Sequence, residues 1–532
     1  MTARSVVVIG GGLAGITTAI DLREAGLGVT LLEARPRLGG ATASFSRGDL
    51  MIDTGQHVFL RCCISYIELL GRLGVAGSVT IQDRFDVTVL SPLSPGAPAR
   101  LRRSGLPAPL HLGRSLAAYR FLSLPERLRV ARAAIALRSL DPAAPGLDGQ
   151  RLGDWLGARG QSGRARRKLW DLFIVSSLNI DGDEASVPLA ATVLKTALLS
   201  GNSAADIGVP AAPLGELHGR AAASLLDRLG AQVRLGTKAT AVERGPAGGF
   251  LVRVASGADA AGGAEGDGGA ADEGGERGER GEGGQAISAD AVILAVPAGP
   301  AARLAGAAGA AGAARWDDLG TSPIVNVHVV YDRRVTDLPF AAAVDSPVQW
   351  AFDKTRTAGL QAGQYLAVSL SAADGYVDAP VAALRERFLP ALEDLFPKAA
   401  GACVTDFFVT RERRATFRQA PGCGALRPGA ATSLPGLLLA GAWTDTGWPD
   451  TMEGAVRSGH TAAQELIREL AGQATAQPGG QATAQPGGQA TAQPGGQATA
   501  QPGGGRAPAA ARQAALADGG SAEAAAGSRW QS

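Results

Sequence analysis

Ser5 to Ala41, SVVVIGGGLAGITTAIDLREAGLGVTLLEARPRLGGA, reads as strand, tight glycine turn, helix, strand and acidic residue. A short β-branched run, Val6 to Ile9, enters the turn. Gly10, Gly12 and Gly15 then supply G-x-G-x-x-G, and a helical pattern runs from Gly15 to Ala25. The second strand is Val29 to Leu32, with Glu33 at its end. Gly10 permits the sharp turn, Gly12 lets a pyrophosphate approach the backbone, and Gly15 lets the helix lie close on the strand. The helix start, through Leu13 and Ala14, offers unpaired N–H groups and a partial positive charge. Glu33 stands where a carboxylate accepts from a ribose hydroxyl pair, and its charge disfavours a 2′-phosphate. One βαβ unit carrying all these parts indicates dinucleotide binding, where an isolated glycine turn would not.

At 532 residues the chain has room for two or three domains. A formal net charge of +2 gives no bulk argument for nucleic acid. No uninterrupted apolar run reaches about eighteen residues, so no transmembrane helix is expected. The chain enters a strand at once with no leader pattern, which places it in the cytoplasm or on the cytosolic face of a membrane. Cys62, Cys63, Cys403 and Cys423 fit neither a disulfide ladder nor a zinc site and read as buried or free thiols.

After Glu33 comes Ala34-Arg35-Pro36-Arg37-Leu38-Gly39-Gly40-Ala41. The glycine pair again suggests backbone against a ligand, and Arg35 reads equally as a ribose or phosphate contact and as a solvated side chain. This text resembles the FAD-binding amine oxidase and phytoene desaturase superfamily, in which the second glycine lies against the cofactor. Many members carry Arg next, where this chain has Ala41. The segment Asp53-Thr54-Gly55-Gln56-His57 narrows the resemblance to the hydroxysqualene dehydroxylases, also called squalene-associated FAD-dependent desaturases. So do Pro323-Ile324-Val325-Asn326-Val327-His328, Ser346-Pro347-Val348-Gln349-Trp350 and Ala415 to Gly422. His57 reads either as a core histidine tied to backbone or, through the resemblance, as a catalytic group.

Between residues 75 and 200, arginines from Arg100 to Arg138 interleave with leucines and aromatics, and Glu126 is the one acid among them. That pattern suits basic amphipathic helices, either a lid with a solvated face or a membrane-surface element. Further helices are expected at Leu152 to Leu156, Lys168 to Leu178 and Gly215 to Leu229. Ala239 to Glu243 is a strand, and the resemblance puts a backbone group of Val242 against the adenine. Ala258 to Gly284 is nearly all Gly, Ala, Glu, Asp and Arg and reads as a disordered insertion. Ala291 to Val296 is a buried parallel strand. Ile324 to Tyr331 alternates as a strand buried on one face, and with Val348 to Asp353 and Tyr365 to Ser371 it suggests an antiparallel sheet whose apolar content suits the floor of a long-hydrocarbon cavity and plain core packing equally.

The last cofactor element is Leu437 to Asp445 followed by Thr451-Met452-Glu453-Gly454-Ala455-Val456. A strand ends at Gly441 and a new helix opens near Met452 and Glu453, whose N–H groups suit the flavin edge that becomes anionic on reduction. Relatives carry an acid where this chain has Ala442, and Asp445 is the substitute at hand. From Gln473 the octapeptide QATAQPGG occurs four times in tandem and reads as a flexible tail.

The fold class expected is α/β: a Rossmann-like FAD-binding domain of the glutathione-reductase/amine-oxidase type with a mixed α+β substrate domain and helical cap. The FAD domain takes 1–75, 201–300 (with the insertion 258–284) and 431–470; the cap takes 76–200, the substrate sheet 301–430 and the tail 471–532. The resemblance implies FAD, a hydrophobic isoprenoid substrate and reductive dehydroxylation of hydroxysqualene to squalene; the candidates for the acid this needs are His57 first and Asp445 second, and an external reductant or reductase is expected. An oxidative carotenoid-type desaturase and a non-enzymatic isoprenoid carrier are the rival readings. No second glycine fingerprint suggests a built-in nicotinamide site.

Overall fold

A computed structural model describes residues 4–246, 248–255 and 285–476, all within one compact unit, Met1–Gln477. Its organising element is a five-stranded sheet in the order Gln232–Arg234, Gly28–Leu32, Ser5–Ile9, Ala291–Leu294, Leu437–Leu439. All four pairings are parallel, with Ile9 opposite both Leu32 and Leu294. Such strands are buried on both faces, which is why their text is continuous Val, Ile and Leu rather than alternating. Because the strands are parallel, their carboxyl ends share one edge, where ligands bind in open α/β sheets.

Helix Leu13–Glu24 follows the first strand. It begins two residues before the expected Gly15, because Gly12 already serves as its N-cap. Helix Met452–Ala476 lies against it. Gly459 makes the approach possible: a Cβ there would stand 2.5 Å from the Ala14 carbonyl oxygen and 2.8 Å from Thr17 Cβ. This last helix runs past 471, where the tail was expected to start. The insertion 258–284 and the tail beyond 476 lie outside the described residues.

A seven-stranded sheet forms the second layer, in the order Val404–Phe417, Thr321–Tyr331, Gln364–Leu370, Trp350–Asp353, Phe340–Ala343, Asp86–Leu90, Ala99–Arg102. Two of its parts depart from the sequence reading. The hairpin Asp86–Leu90 and Ala99–Arg102 falls in the stretch assigned to the helical cap, yet it pairs onto Phe340–Ala343 through Val89 and Ala342. Its alternation is real, with Val87, Val89, Ala99 and Leu101 buried, but arginines on the other face gave it a helical look. Thr321–Tyr331 is buried on both faces rather than one. Val325, Val327 and Val329 pack in one cluster with helix Val381–Leu395, while Val330 joins Ile52 in another.

The cap is built from helices Leu124–Arg138, Leu152–Gly157, Asp171–Leu178 and Val187–Leu194. Ser123 and Glu126 form a capping box at the first of these. Asn179, in the left-handed region at φ 50°, ends Asp171–Leu178 and ties it to the sheet. Its Nδ2 donates to the Ser322 carbonyl and to Thr416 Oγ1, both at 3.0 Å, and its Oδ1 accepts from Ala372 N–H at 2.7 Å. Asp206, fully buried, clamps the base of the cap by accepting from Arg61, Arg103 and the Phe85 N–H. Among the described residues no helix is long and apolar enough to cross a membrane.

Candidate functional site

The carboxyl edge of the parallel sheet carries the glycine turn. Gly10 sits at φ 112°, and any side chain there would strike the Ala295 carbonyl at the end of the next strand. Gly15 is equally constrained by the Gly10 carbonyl. Gly12 is different: a Cβ there would meet no protein atom nearer than Gly40 Cα, 3.9 Å away. Gly40 itself, at φ 57°, would bring a Cβ within 3.0 Å of Gly12 Cα. The two backbones thus face each other across a slot that side chains would fill. The helix beginning at Leu13 and Ala14 has no side-chain cap and no acid in its first turn, so its N–H groups remain for an anion.

Glu33 is buried and bound at both oxygens: Oε2 accepts from Gly11 N–H at 2.7 Å and Oε1 from Arg35 N–H at 2.8 Å. Each oxygen keeps a second lone pair, so the carboxylate is held in place with capacity for a hydroxyl pair. Ala34, Arg35 and Ala41 are exposed along the rim. Arg35 turns its guanidinium back toward the Gly40 carbonyl at 3.4 Å. Thr54 Oγ1 lies 2.6 Å from the Ala41 carbonyl and 2.9 Å from that of Ala43, so the Asp53–His57 segment backs the glycine loop. Val242 is buried on Ala239–Arg244, an edge strand with one side open.

The late loop reaches the same edge. Trp443 Nε1–H donates to the Val296 carbonyl at 2.9 Å, just past the strand that neighbours the glycine turn. Gly441, at φ 148°, donates its N–H to Ser458 Oγ at 2.8 Å. Arg427, unmarked by any sequence motif, is buried inside the loop. It donates to the carbonyls of Ala442 (3.1 Å), Trp443 (3.3 Å) and Trp448 (2.8 Å) and stacks on Phe417. Met452 opens the final helix here. Glu453 turns its carboxylate elsewhere: it accepts from Ser65 and Tyr66 N–H at the start of helix Ile64–Arg72 and from Arg457. What it has left for a cofactor is its backbone N–H. Gly10, Gly12, Glu33, Gly40, Gly441 and Met452 thus surround one edge of one sheet, and their open slot, held acid and uncapped helix start fit a dinucleotide.

His57 lies in a crevice between the seven-stranded sheet and the short sheet that contains strand Ile207–Pro210. Gln56, Val58, Val209, Phe352, Lys354 and Thr357 line it. Its Nδ1 is buried without a hydrogen-bond partner, and burial lowers its pKa below the usual 6.5. Behind it is a buried ion pair absent from the sequence reading: Lys354 Nζ stands 2.9 Å from Asp53 Oδ2. Asp53 Oδ1 accepts in addition from Leu214 N–H at 2.9 Å and Ser44 Oγ at 2.7 Å. His218 is buried nearby between Tyr66 OH (2.9 Å) and the Thr42 carbonyl (3.2 Å), its pKa pushed down to about 4 by desolvation. Asp445 is exposed and accepts from Gly447 N–H at 3.3 Å. The acid in this loop that desolvation raises is Asp450, to about 6; it accepts from Phe417 N–H at 2.9 Å.

The sheet above is apolar where it faces the loop and cap. Phe340, Ala342, Phe352, Phe417, Trp316 and Trp443 belong to one buried cluster with cap residues Trp170 and Leu178. Trp350 and Ser369, although on interior strands, are only half-buried, so space remains over this patch.

The family model for flavin containing amine oxidoreductases matches residues 13–467. Hydroxysqualene dehydroxylase of Rhodopseudomonas palustris is 30% identical over 469 residues, covering 87% of this chain and 99% of that protein. The chloroplastic/chromoplastic 15-cis-phytoene desaturase of Narcissus pseudonarcissus is 24% identical, over 87% of this chain and 79% of that protein. Among solved structures, putrescine oxidase bound to putrescine superimposes with a TM-score of 0.61 at 18% identity, covering 88% and 99% of the two chains.

Proposed function

The chain belongs to the flavin containing amine oxidoreductase family, and from that membership we propose that it removes the hydroxyl of hydroxysqualene reductively, giving squalene. It is a flavoenzyme with FAD as cofactor. The observation that carries the finer reading is the near end-to-end similarity to a hydroxysqualene dehydroxylase. FAD, when bound and reduced, supplies a hydride.

The rest falls to the side chains. The substrate carbinol is allylic, so its departing hydroxyl leaves a delocalised cation. Hydroxide is a poor leaving group, and an acid has to protonate it as the bond breaks. His57, which lines the crevice and whose buried Nδ1 has no hydrogen-bond partner, is the first candidate. Asp450 replaces the exposed Asp445 as the second, because its desolvated carboxyl holds a proton more readily. The aromatic patch of Phe340, Phe352 and Trp443 keeps water from the cation.

The reductant is external in this reading. Contact with a membrane surface supports delivery of so apolar a substrate, and helix Leu124–Arg138 carries the face suited to it. The test is anaerobic incubation of the dithionite-reduced protein with hydroxysqualene. Squalene is the expected product. Unchanged alcohol overturns the reading, and desaturation of phytoene by the oxidised protein would put the carotenoid-type reaction in its place. For the acid, His57→Asn with FAD retained should slow single-turnover flavin reoxidation by substrate about 100-fold; an unchanged rate removes His57.

A further inference from the structure

Asn326 sits in the middle of strand Thr321–Tyr331 with no exposed surface. Its neighbours Val325 and Val327 face the cluster under helix Val381–Leu395, so strand alternation turns Asn326 to the opposite side, toward the loop and cap. On that side Thr410 and Ser369 flank it across the ladder, and Trp350 lies beyond Ser369. Ser369 and Trp350 are the half-buried residues that mark the space over the sheet.

The amide is held at one end only. Nδ2 reaches Thr410 Oγ1 at 3.5 Å, the limit of a hydrogen bond, and Oδ1 has no partner. Rotating the amide by half a turn swaps the two ends and still leaves one open. Thr410 is fixed in turn by His328 Nε2 at 3.0 Å, and His328 Nδ1 lies 2.7 Å from Tyr365 OH. This buried chain ends in an unpaired amide next to the half-buried Ser369 of the neighbouring strand. A fully buried polar group without a partner is costly and rare, and a ligand that brings one polar group into this space relieves the cost.

We propose that Asn326 is a hydroxyl subsite on the sheet face that Ser369 and Trp350 share: its amide hydrogen-bonds the alcohol of a long hydrocarbon substrate and is left unpaired by the deoxygenated product. The inference rests on the alcohol-to-hydrocarbon reading above. It assigns the residue a job in specificity: the alcohol is held with its carbon–oxygen bond in a fixed place, and the product, having lost the only group Asn326 reads, leaves.

The test uses the FAD-loaded oxidised protein, titrated with hydroxysqualene and with squalene and followed by flavin absorbance. The wild type should bind the alcohol about 10- to 100-fold more tightly than the hydrocarbon. Asn326→Leu, close in volume, should bring the two affinities together with flavin content unchanged. Asn326→Ser, which keeps a polar group, should restore part of the preference and guards against a variant that merely folds poorly. A preference that survives in Asn326→Leu overturns the subsite. So does a variant that loses flavin but not preference, since the amide would then serve the cofactor. Squalene formation by the reduced wild type is scored separately, so failure of the reaction and failure of the subsite are told apart.

Discussion

Glu33 gives both carboxylate oxygens to backbone N–H groups, so the acid is already oriented before any ribose arrives. Glu33→Gln keeps the shape and loses the charge and one acceptor; FAD should dissociate about 10-fold more readily, read by flavin fluorescence on dilution. His218 and His328 make a different kind of statement. Desolvation by burial holds them neutral, with pKa values of about 4 and about 3. The unfolded chain titrates them near 6.5, so between pH 6.5 and those lower values the unfolded state binds more protons. Stability from these two residues is therefore full above about pH 6.5 and falls as the pH drops. By pH 5 the loss should be on the order of 2 kcal/mol for each. Urea midpoints at pH 7 and pH 5 measure it, and His328→Gln should flatten part of the slope. The same direction applies to catalysis: a protonated His57, with its pKa lowered, would give a rate that rises on acidification below about pH 6.5.

Helix Leu124–Arg138 shows how one element can be apolar on two faces. Val130, Ala133 and Leu137 are buried. On the other side Leu124, Leu128 and Ile135 are 64%, 60% and 62% exposed, and their spacing puts them within about 40° around the axis. Arg132 and Arg138 flank this outer stripe, and Leu106 and Leu110 are exposed in the segment before it. Apolar side chains rimmed by cations match a bilayer with anionic headgroups. Replacing Leu124, Leu128 and Ile135 together by Ser should abolish cosedimentation with phosphatidylglycerol vesicles at low salt and leave the melting temperature unchanged. Retained binding, or a dimer that the triple change dissolves, would assign the stripe to another surface. The loop from Gly441 to Trp448 depends instead on one side chain: without the Arg427 guanidinium its carbonyls would face inward unpaired.

At the scale of the molecule, the early strand Ser5–Ile9 and the late strand Leu437–Leu439 end at one sheet edge, and a ligand held there stabilises the whole unit. Stripping FAD should lower the melting temperature, and adding it back at about 100 times its dissociation constant should restore about 2.7 kcal/mol. The parts of this architecture legible in the sequence were those written locally. Gly10, Gly12, Gly15 and Glu33 lie within one βαβ unit, and the run at Ala291 to Leu294 has the pattern of a doubly buried parallel strand. What stayed hidden depends on distant partners. Lys354 acquires meaning only when Asp53, 301 residues away, is set against it. Val404–Phe417 was missed because Arg411, Glu412, Arg413 and Arg414 interrupt its apolar alternation, and Asn326 looked like any polar residue in a strand until its neighbours closed around it. The order of assembly adds a consequence. Strand Leu437–Leu439 and the helix pressed on Ala14 through Gly459 are made late. On the ribosome, then, the nucleotide pocket stays half-built through more than four hundred residues of translation, and prosthetic-group capture has to follow chain elongation rather than guide it.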